Sequence, residues 1–366
     1  MDLNNFTSFK QLDPQNMLGE IEALPSQLQS AWELGQQQPL PDAKGIARII
    51  ISGMGGSAIG ADLLTAYIAP ACKIPVIVHR DYSLPAWAHG TETLVIVSSH
   101  SGNTEETLEA FDAAVKTGCR ILAVCTGGEL EKRANAHNVP VWKFTHAGQP
   151  RAAVGFSFGL LLAAFTRMGL IASTSPKGTL SHSAGFNPEK ELLETLAVMR
   201  SQQETLRADV PVAQNPAKRM AGQLVGRWVN VYGSGILAPV ARRWKGQVNE
   251  DAKAGAGFEL LPEADHNALA GLENPEVLMQ TMTLFLRAPS DHPRNILRAD
   301  LTRQGFIVEG LNTDVYEAKG ESPLAHIWTA LHFGDYMAYY LAMAYEVDPT
   351  PVEALQDLKA ALKAAK

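Results

Sequence analysis

The run Ser98-Ser99-His100-Ser101-Gly102-Asn103-Thr104-Glu105-Glu106-Thr107 sets three hydroxyls, on Ser99, Ser101 and Thr104, between an apolar run (Leu94–Val97) and a helix-like segment (Leu108–Thr117). At a strand-to-helix junction such a turn offers free backbone N–H groups, side-chain donors and the positive end of a helix dipole, the parts that hold a phosphate. The turn has no lysine, which points to one phosphate monoester rather than a triphosphate. A second turn, Gly53-Met54-Gly55-Gly56-Ser57-Ala58, follows the apolar run Ile49–Ser52 and adds a hydroxyl at Ser57. Other readings stand beside this one. A G-x-G-x-x-A turn after a strand also opens a dinucleotide-binding fold, and Asp81 ends the next strand near the spacing of a ribose-binding acid. Hydroxyls in turns are often helix caps, and the glycines serve equally to allow a tight turn. The hydroxyl of Ser57 and the anion-binding turn after the third strand favour the phosphomonoester.

Turns of this kind must be carried by a sheet, and the surrounding text supplies one. Short apolar runs (Ile46–Ser52, Pro75–Val78, Leu94–Val97, Ile121–Val124 and Val139–Phe144) alternate with stretches of helical length and period such as Ala58–Ala69 and Thr104–Thr117. That rhythm is βαβ, hence α/β with a parallel, doubly wound sheet. Right-handed crossovers then put the turns after the first and third strands on one edge. The rhythm restarts at Trp228–Tyr232, followed by Gly233-Ser234-Gly235-Ile236-Leu237-Ala238 and a helix-like Pro239–Glu250. This weak duplication predicts two similar α/β halves. Later strands are expected at Thr281–Leu286 and Phe306–Val308, and two C-terminal helices at Ser322–Tyr345 and Val352–Ala364. The chain thus divides into an N-terminal helical segment (1–45), a first sheet domain (46–152), connecting helices (153–215, interrupted at Ser173–Thr179) and a second sheet domain with C-terminal helices (216–366).

Composition excludes several classes. The 366 residues are 46% hydrophobic and 19% charged, as in an ordinary globular protein. A formal charge of −7 argues against nucleic acid or an anionic membrane as the main partner, so an anionic substrate needs positive charge gathered locally. Cys72, Cys119 and Cys125 form no C-x-x-C pair and suit a reducing compartment. The start, MDLNNFTSFKQLDPQN, is polar and acidic, unlike a signal peptide, and the apolar stretch Val154–Phe165 is too short to span a membrane. A cytoplasmic location is expected. No His, Glu or Cys cluster has metal-ligand spacing, so no metal is expected.

The turns Gly53–Ser57 and Ser99–Thr107 together resemble the sugar isomerase (SIS) domain family. The blocks Asn249-Glu250-Asp251-Ala252-Lys253, Pro262-Glu263-Ala264-Asp265-His266-Asn267, Gly334-Asp335-Tyr336 and Val347-Asp348-Pro349-Thr350-Pro351-Val352 resemble its bifunctional phosphoglucose/phosphomannose isomerase branch, over most of the chain from about residue 46. The resemblance implies two doubly wound SIS domains with flanking helices, and a homodimer with a shared active site. It implies interconversion of glucose 6-phosphate, mannose 6-phosphate or both with fructose 6-phosphate through a cis-enediol, a route that needs no nicotinamide or flavin, so no cofactor is expected. One base must then reach both C1 and C2, a role that the resemblance puts on Glu250. It puts ring opening on His266, contributed across the subunit interface, and stabilisation of the enediol charge on Arg151. Ser57, Ser99, Ser101 and Thr104 would hold the phosphate, with Gly55 and Gly56 near the sugar ring.

Taken without the resemblance, Glu250 reads as a solvated helix end, because Asp251 and Lys253 sit beside it, and Arg151 reads as a surface arginine. One departure stands out. Some relatives carry a lysine at the sugar ring, and Leu331-His332-Phe333-Gly334-Asp335 has none there; His332 or Lys319 is expected to substitute. Asp335 itself could simply cap the start of a helix. The missing lysine keeps a non-catalytic sugar-phosphate-binding SIS protein open as the alternative. An enzyme of amino sugars or seven-carbon ketoses and a nucleotide-binding oxidoreductase are the remaining readings.

Overall fold

The computed structural model describes residues 2–171 and 186–365, so the interruption expected at Ser173–Thr179 lies outside the described residues. The N-terminal segment folds as three helices, α1 (Phe9–Leu12), α2 (Met17–Glu22) and α3 (Leu24–Gly35). They bury Phe9, Met17, Ile21, Leu24 and Leu28, the apolar positions of a helical period.

The first sheet contains β1 (Arg48–Ser52), β2 (Val76–His79), β3 (Thr93–Ser99), β4 (Arg120–Cys125) and β5 (Val141–Lys143). Its order is β2-β1-β3-β4-β5, and every pairing is parallel. The connecting helices are α4 (Gly55–Ile68), α5 (Glu105–Lys116) and α6 (Gly128–Ala136). β3 is buried along its whole length, as a central parallel strand covered on both faces must be. From β1 the chain leaves to one side for β2 and returns to the other for β3. The crevice at that switch lies between the turns after β1 and β3, on the one edge where the crossover rule puts them.

Beyond α7 (Val154–Arg167), α8 (Pro188–Leu206) and α9 (Pro216–Leu224), the second sheet repeats the plan with one strand fewer. Its strands are β6 (Trp228–Ser234), β7 (Ala256–Leu261), β8 (Thr281–Arg287) and β9 (Asn312–Glu317), in the order β7-β6-β8-β9 and all parallel. Two sequence expectations need correction. β7 went unread, because Ala256-Gly257-Phe258-Glu259-Leu260-Leu261 opens on small residues and has no clean alternation. Phe306–Val308, expected as a strand, is the last turn of α11 (Pro293–Val308). Phe306 points inward while Ile307 and Val308 stay exposed, and the strand begins after the Gly310 turn.

The helix between β6 and β7 is α10 (Ala238–Glu250), and α12 (Pro323–Tyr345) runs through the middle of the molecule. Every residue from Pro323 to Met343 is buried, which makes α12 apolar all round rather than amphipathic. One apolar cluster joins α3, α4, α7, α8, α10 and α12, so the two sheets share a continuous core. The last helix, α13 (Glu353–Ala364), buries no residue. No helix among the described residues is long and apolar enough to cross a membrane.

Candidate active site

A cleft of about 300 Å³ opens between the two sheet domains, lined among others by Gly55, Gly56, Arg80, Arg151, Arg242 and Glu250. Glu250 ends α10, and its side chain stays 35% exposed. Its Oε2 lies 3.7 Å from Nη1 of Arg151. Arg151 itself is buried in the turn before α7. Its Nε donates to Oδ1 of Asp251 at 2.6 Å, and its Nη2 donates to the carbonyls of Pro349 and Thr350, each at 2.7 Å. Three fixed acceptors therefore clamp the guanidinium and leave its Nη1 edge toward Glu250.

Asp251 follows Glu250 but faces the other way. It is wholly buried and accepts from Nε2 of Gln247 at 3.1 Å. Burial pushes its carboxyl up to about 6, against the pull of Arg151. The helix end is thus no solvated face: one acid orients the arginine and its neighbour faces the cleft. Lys253 closes the turn, donating to the carbonyls of Glu250 and Pro349 at 2.6 and 3.0 Å. Behind it, Arg243 grips Asp335 through two bonds of 3.1 and 2.9 Å, both side chains buried. Asp335 therefore sits mid-helix as half of a core ion pair; it caps nothing.

The turn after β1 and the turn after β3 touch. A Cβ added at Gly53 would stand 2.9 Å from the Ser98 carbonyl and 3.2 Å from Cβ of Ser57. Ser57 and Ser99 are buried, Thr104 is half-buried and Ser101 is exposed. Oγ of Ser99 and Oγ1 of Thr104 lie 2.9 Å apart, and the Gly102 N–H donates to Oγ of Ser99 at 3.1 Å. Thr104 holds the N-cap position of α5 without a capping bond among the described residues. Its hydroxyl serves the turn, which leaves the N–H groups opening α5 for another acceptor.

The cleft gathers Gly55, Gly56, Arg151 and Glu250, with Ser57 next in the chain and the Ser99–Thr104 turn against it. It does not gather the histidines. His266 is exposed on the turn after β7 and is not among the residues lining the cleft. His332 is wholly buried in α12, and its Nε2 donates to the Ile21 carbonyl at 3.0 Å. Burial pulls it down to about 4, so it is a neutral core group and not the substitute expected at a sugar ring. Lys319 does not line the cleft either. Arg80, Arg242 and Lys245, all missed in the sequence, do line it. Arg80 directly follows β2 and Arg242 lies on α10, and both are bound to Asp62 on α4. This is the local positive charge that an acidic protein needs for an anionic ligand.

The second half carries the same turn, closed. Gly55 and Gly235 share φ +50°, and the residues before them, Met54 and Ser234, share an extended backbone. A Cβ at Gly55 would meet no described atom within 4 Å, whereas one at Gly235 would stand 2.9 Å from Oδ1 of Asp291. Asp291 follows β8, where the Ser99–Thr104 turn follows β3. Its Oδ2 accepts from Oγ of Ser234 and from the Ala288 N–H, each at 3.2 Å. The carboxylate of Asp291 fills the second crevice.

The family model of the bacterial phospho-glucose isomerase C-terminal SIS domain matches residues 213–362. A bifunctional phosphoglucose/phosphomannose isomerase of Caldicellulosiruptor bescii is 38% identical over 348 residues, 94% of this chain and 98% of that one. Another, of Aquifex aeolicus, is 30% identical across 86% of this chain and 90% of its own. Among solved structures, a hypothetical protein of Thermus thermophilus superposes with a TM-score of 0.72 at 16% identity, over 97% of this chain and 92% of that chain, a likeness of fold alone. Similarity over nearly the whole length, together with the two parallel-sheet domains, establishes that the chain belongs to the bifunctional phosphoglucose/phosphomannose isomerase family.

Proposed function

We propose that the chain is an aldose–ketose isomerase that interconverts glucose 6-phosphate, mannose 6-phosphate or both with fructose 6-phosphate. The named activity of its relatives supports this. The observation that carries the mechanism is the clamped Arg151 facing Glu250 in a cleft next to the phosphate turn.

Ser57, Ser99, Ser101, Thr104 and the first N–H groups of α4 and α5 hold the phosphate; Gly55 and Gly56 let the sugar lie close to the backbone. The carboxylate of Glu250 removes the C2 proton of the open-chain aldose. The electron pair forms the C1–C2 double bond and the carbonyl pair moves onto O1, giving a cis-enediolate; the hydroxyl proton passes from O2 to O1, and the carbon proton returns at C1 as the O2 carbonyl forms, to give the ketose. Nη1 of Arg151, fixed and always charged, stabilises the oxygens as they gain charge. The planar enediol loses the configuration at C2, so one site serves both epimers. His266 opens the ring from the partner subunit of a homodimer, in keeping with its exposed position outside its own cleft. A cytoplasmic enzyme fits three cysteines with no disulfide.

A coupled assay of fructose 6-phosphate formation tests the reading. Glu250→Gln should lower kcat by about 10²–10⁴-fold, the range of general-base contributions. An unchanged rate would remove Glu250 from the mechanism. A protein that binds fructose 6-phosphate tightly in calorimetry and never turns it over would be the non-catalytic binder instead.

A further inference from the structure

The phosphate turn contains a residue with no role in the mechanism. His100 lies between Ser99 and Ser101, and its ring is not turned to solvent alone. Its Nε2 is 3.0 Å from Nδ1 of His146, and Nε2 of His146 is 3.0 Å from Oε2 of Glu20 on α2. Glu20 lies 80 residues before His100, in the N-terminal segment that precedes the first sheet. We propose that Glu20, through His146, positions His100 and so keeps the serine-rich turn in its phosphate-binding shape, making the N-terminal helices part of the substrate-binding apparatus; this rests on the sugar-phosphate reading of that turn.

The protons follow from the acceptors. A carboxylate only accepts, so Nε2 of His146 carries a hydrogen and donates it to Glu20. In the neutral ring Nδ1 is then an acceptor, which obliges Nε2 of His100 to donate to it. Glu20 thereby selects one tautomer of His146 and, through it, the tautomer of His100. Burial, the largest cause, pulls His100 down to about 4, so that its ring stays neutral. The surroundings hold the rings in place. Phe144 stacks on Phe156, His100 meets Phe144 edge-on, and His146 meets Phe156 edge-on. A Cβ at Gly148 would stand 2.3 Å from Oε1 of Glu20 and 2.9 Å from Cε1 of His146, so a side chain there would push against the carboxylate and the ring.

The backbone of the turn is held from its other side too. Thr126 binds the His100 carbonyl through N–H and Oγ1 at 3.0 and 2.7 Å. The same N-terminal segment reaches the turn that carries Arg151: Nε2 of Gln27 donates to the Ala152 carbonyl at 2.9 Å, and its Oε1 accepts from the Gly155 N–H at 2.7 Å. Helices that only covered apolar surface would need neither contact. Without Glu20, nothing fixes the hydrogen on Nε2 of His146: placed on Nδ1, it meets the Nε2–H of His100 unless that ring changes tautomer too, and the hold on the His100 ring is no longer defined.

The test compares Glu20→Ala, His146→Phe and Glu20→Gln with the unaltered protein, measuring kcat, KM for fructose 6-phosphate, the thermal midpoint, and the affinity for inorganic phosphate by calorimetry. Phe fits the aromatic cluster, and Gln keeps an acceptor for Nε2 of His146. Glu20→Ala and His146→Phe should raise KM by about 3- to 10-fold, as for the loss of one or two net hydrogen bonds, with kcat within about twofold. Glu20→Gln should behave like the parent. An unchanged KM in the first two variants overturns the proposal. So does a loss that falls on kcat, or a Gln variant as impaired as the Ala variant. Should the parent show no turnover, the isomerase reading fails by itself; weaker phosphate binding in Glu20→Ala and His146→Phe would still uphold the positioning chain, and equal binding would end it.

Discussion

Glu250 and Asp251 are adjacent acids with opposite environments, and the difference is set by the end of α10. The last turn directs residue 250 into the cleft and residue 251 into the core, where Arg151 and Gln247 meet it. Asp251→Asn removes the charge while keeping the shape. Arg151 would then keep its two carbonyl acceptors and lose the charge that orients its Nε, so kcat should fall more than KM rises in the fructose 6-phosphate assay, because Nη1 of Arg151 is no longer held toward Glu250. A second residue-scale consequence concerns His332. Its folded value of about 4 lies below its ordinary 6.5, so it binds no proton in the fold where the unfolded chain does. It costs nothing above pH about 6.5, and stability drains away as pH falls toward 4, by about 3 kcal/mol in all. His332→Phe should flatten that limb: its stability relative to the parent rises between pH 7 and 4 in denaturant titrations. A parallel pair of curves would mean that His332 does not stay neutral.

At the scale of elements, the duplicated βα turns share a backbone and differ in what fills the crevice beside them. Both have the glycine with positive φ, the extended residue before it and the helix after it. What differs is the loop after the third strand of each sheet. In the first half it brings hydroxyls; in the second it brings Asp291, whose carboxyl burial raises from 3.8 to about 6. A raised acid is destabilising where it is ionised, so the cost of Asp291 is present above pH about 6 and vanishes below about 4. Asp291→Asn should therefore gain thermal midpoint relative to the parent at pH 7.5 and lose that advantage at pH 4. The reverse trend would show that the second crevice welcomes the charge. The glycine motif was legible at both places in the sequence. The filling of the second was not, because Asp291 lies 56 residues beyond Gly235 and meets it only through the sheet.

For the whole molecule, the cleft exists because two sheets share one core and present their helices to each other. Asp62 of the first half holds Arg80 beside it and Arg242 across the gap, so the positively charged wall belongs to neither half alone. His266 is exposed and off that wall, and its proposed role across a dimer interface predicts that a working site needs both subunits. Mixing the inactive Glu250→Gln and His266→Asn proteins under subunit exchange should restore activity. Random pairing gives half mixed dimers with one intact site each, about one quarter of the parent activity. No recovery in mixtures shown to exchange would place ring opening within one chain.

The local readings in the sequence held where local physics decides. The βαβ rhythm, the parallel sheets and both glycine turns follow from apolar period and backbone freedom, which act over a few residues. Glu250, Arg151, Gly55 and Gly56 were named from motif blocks, and the fold brings them to one cleft. Elsewhere local pattern misled. Ile307-Val308 looks like strand but ends a helix, since only the packing of Phe306 decides the matter. His332 looked available because nothing in Leu331–Asp335 tells that α12 is enclosed on every side. The Asp62 clamp, the burial of Asp251 and the Glu20–His146–His100 chain belong wholly to tertiary structure. Each joins groups from different elements, and the desolvation and hydrogen bonding that give such groups their roles arise only once those elements have packed.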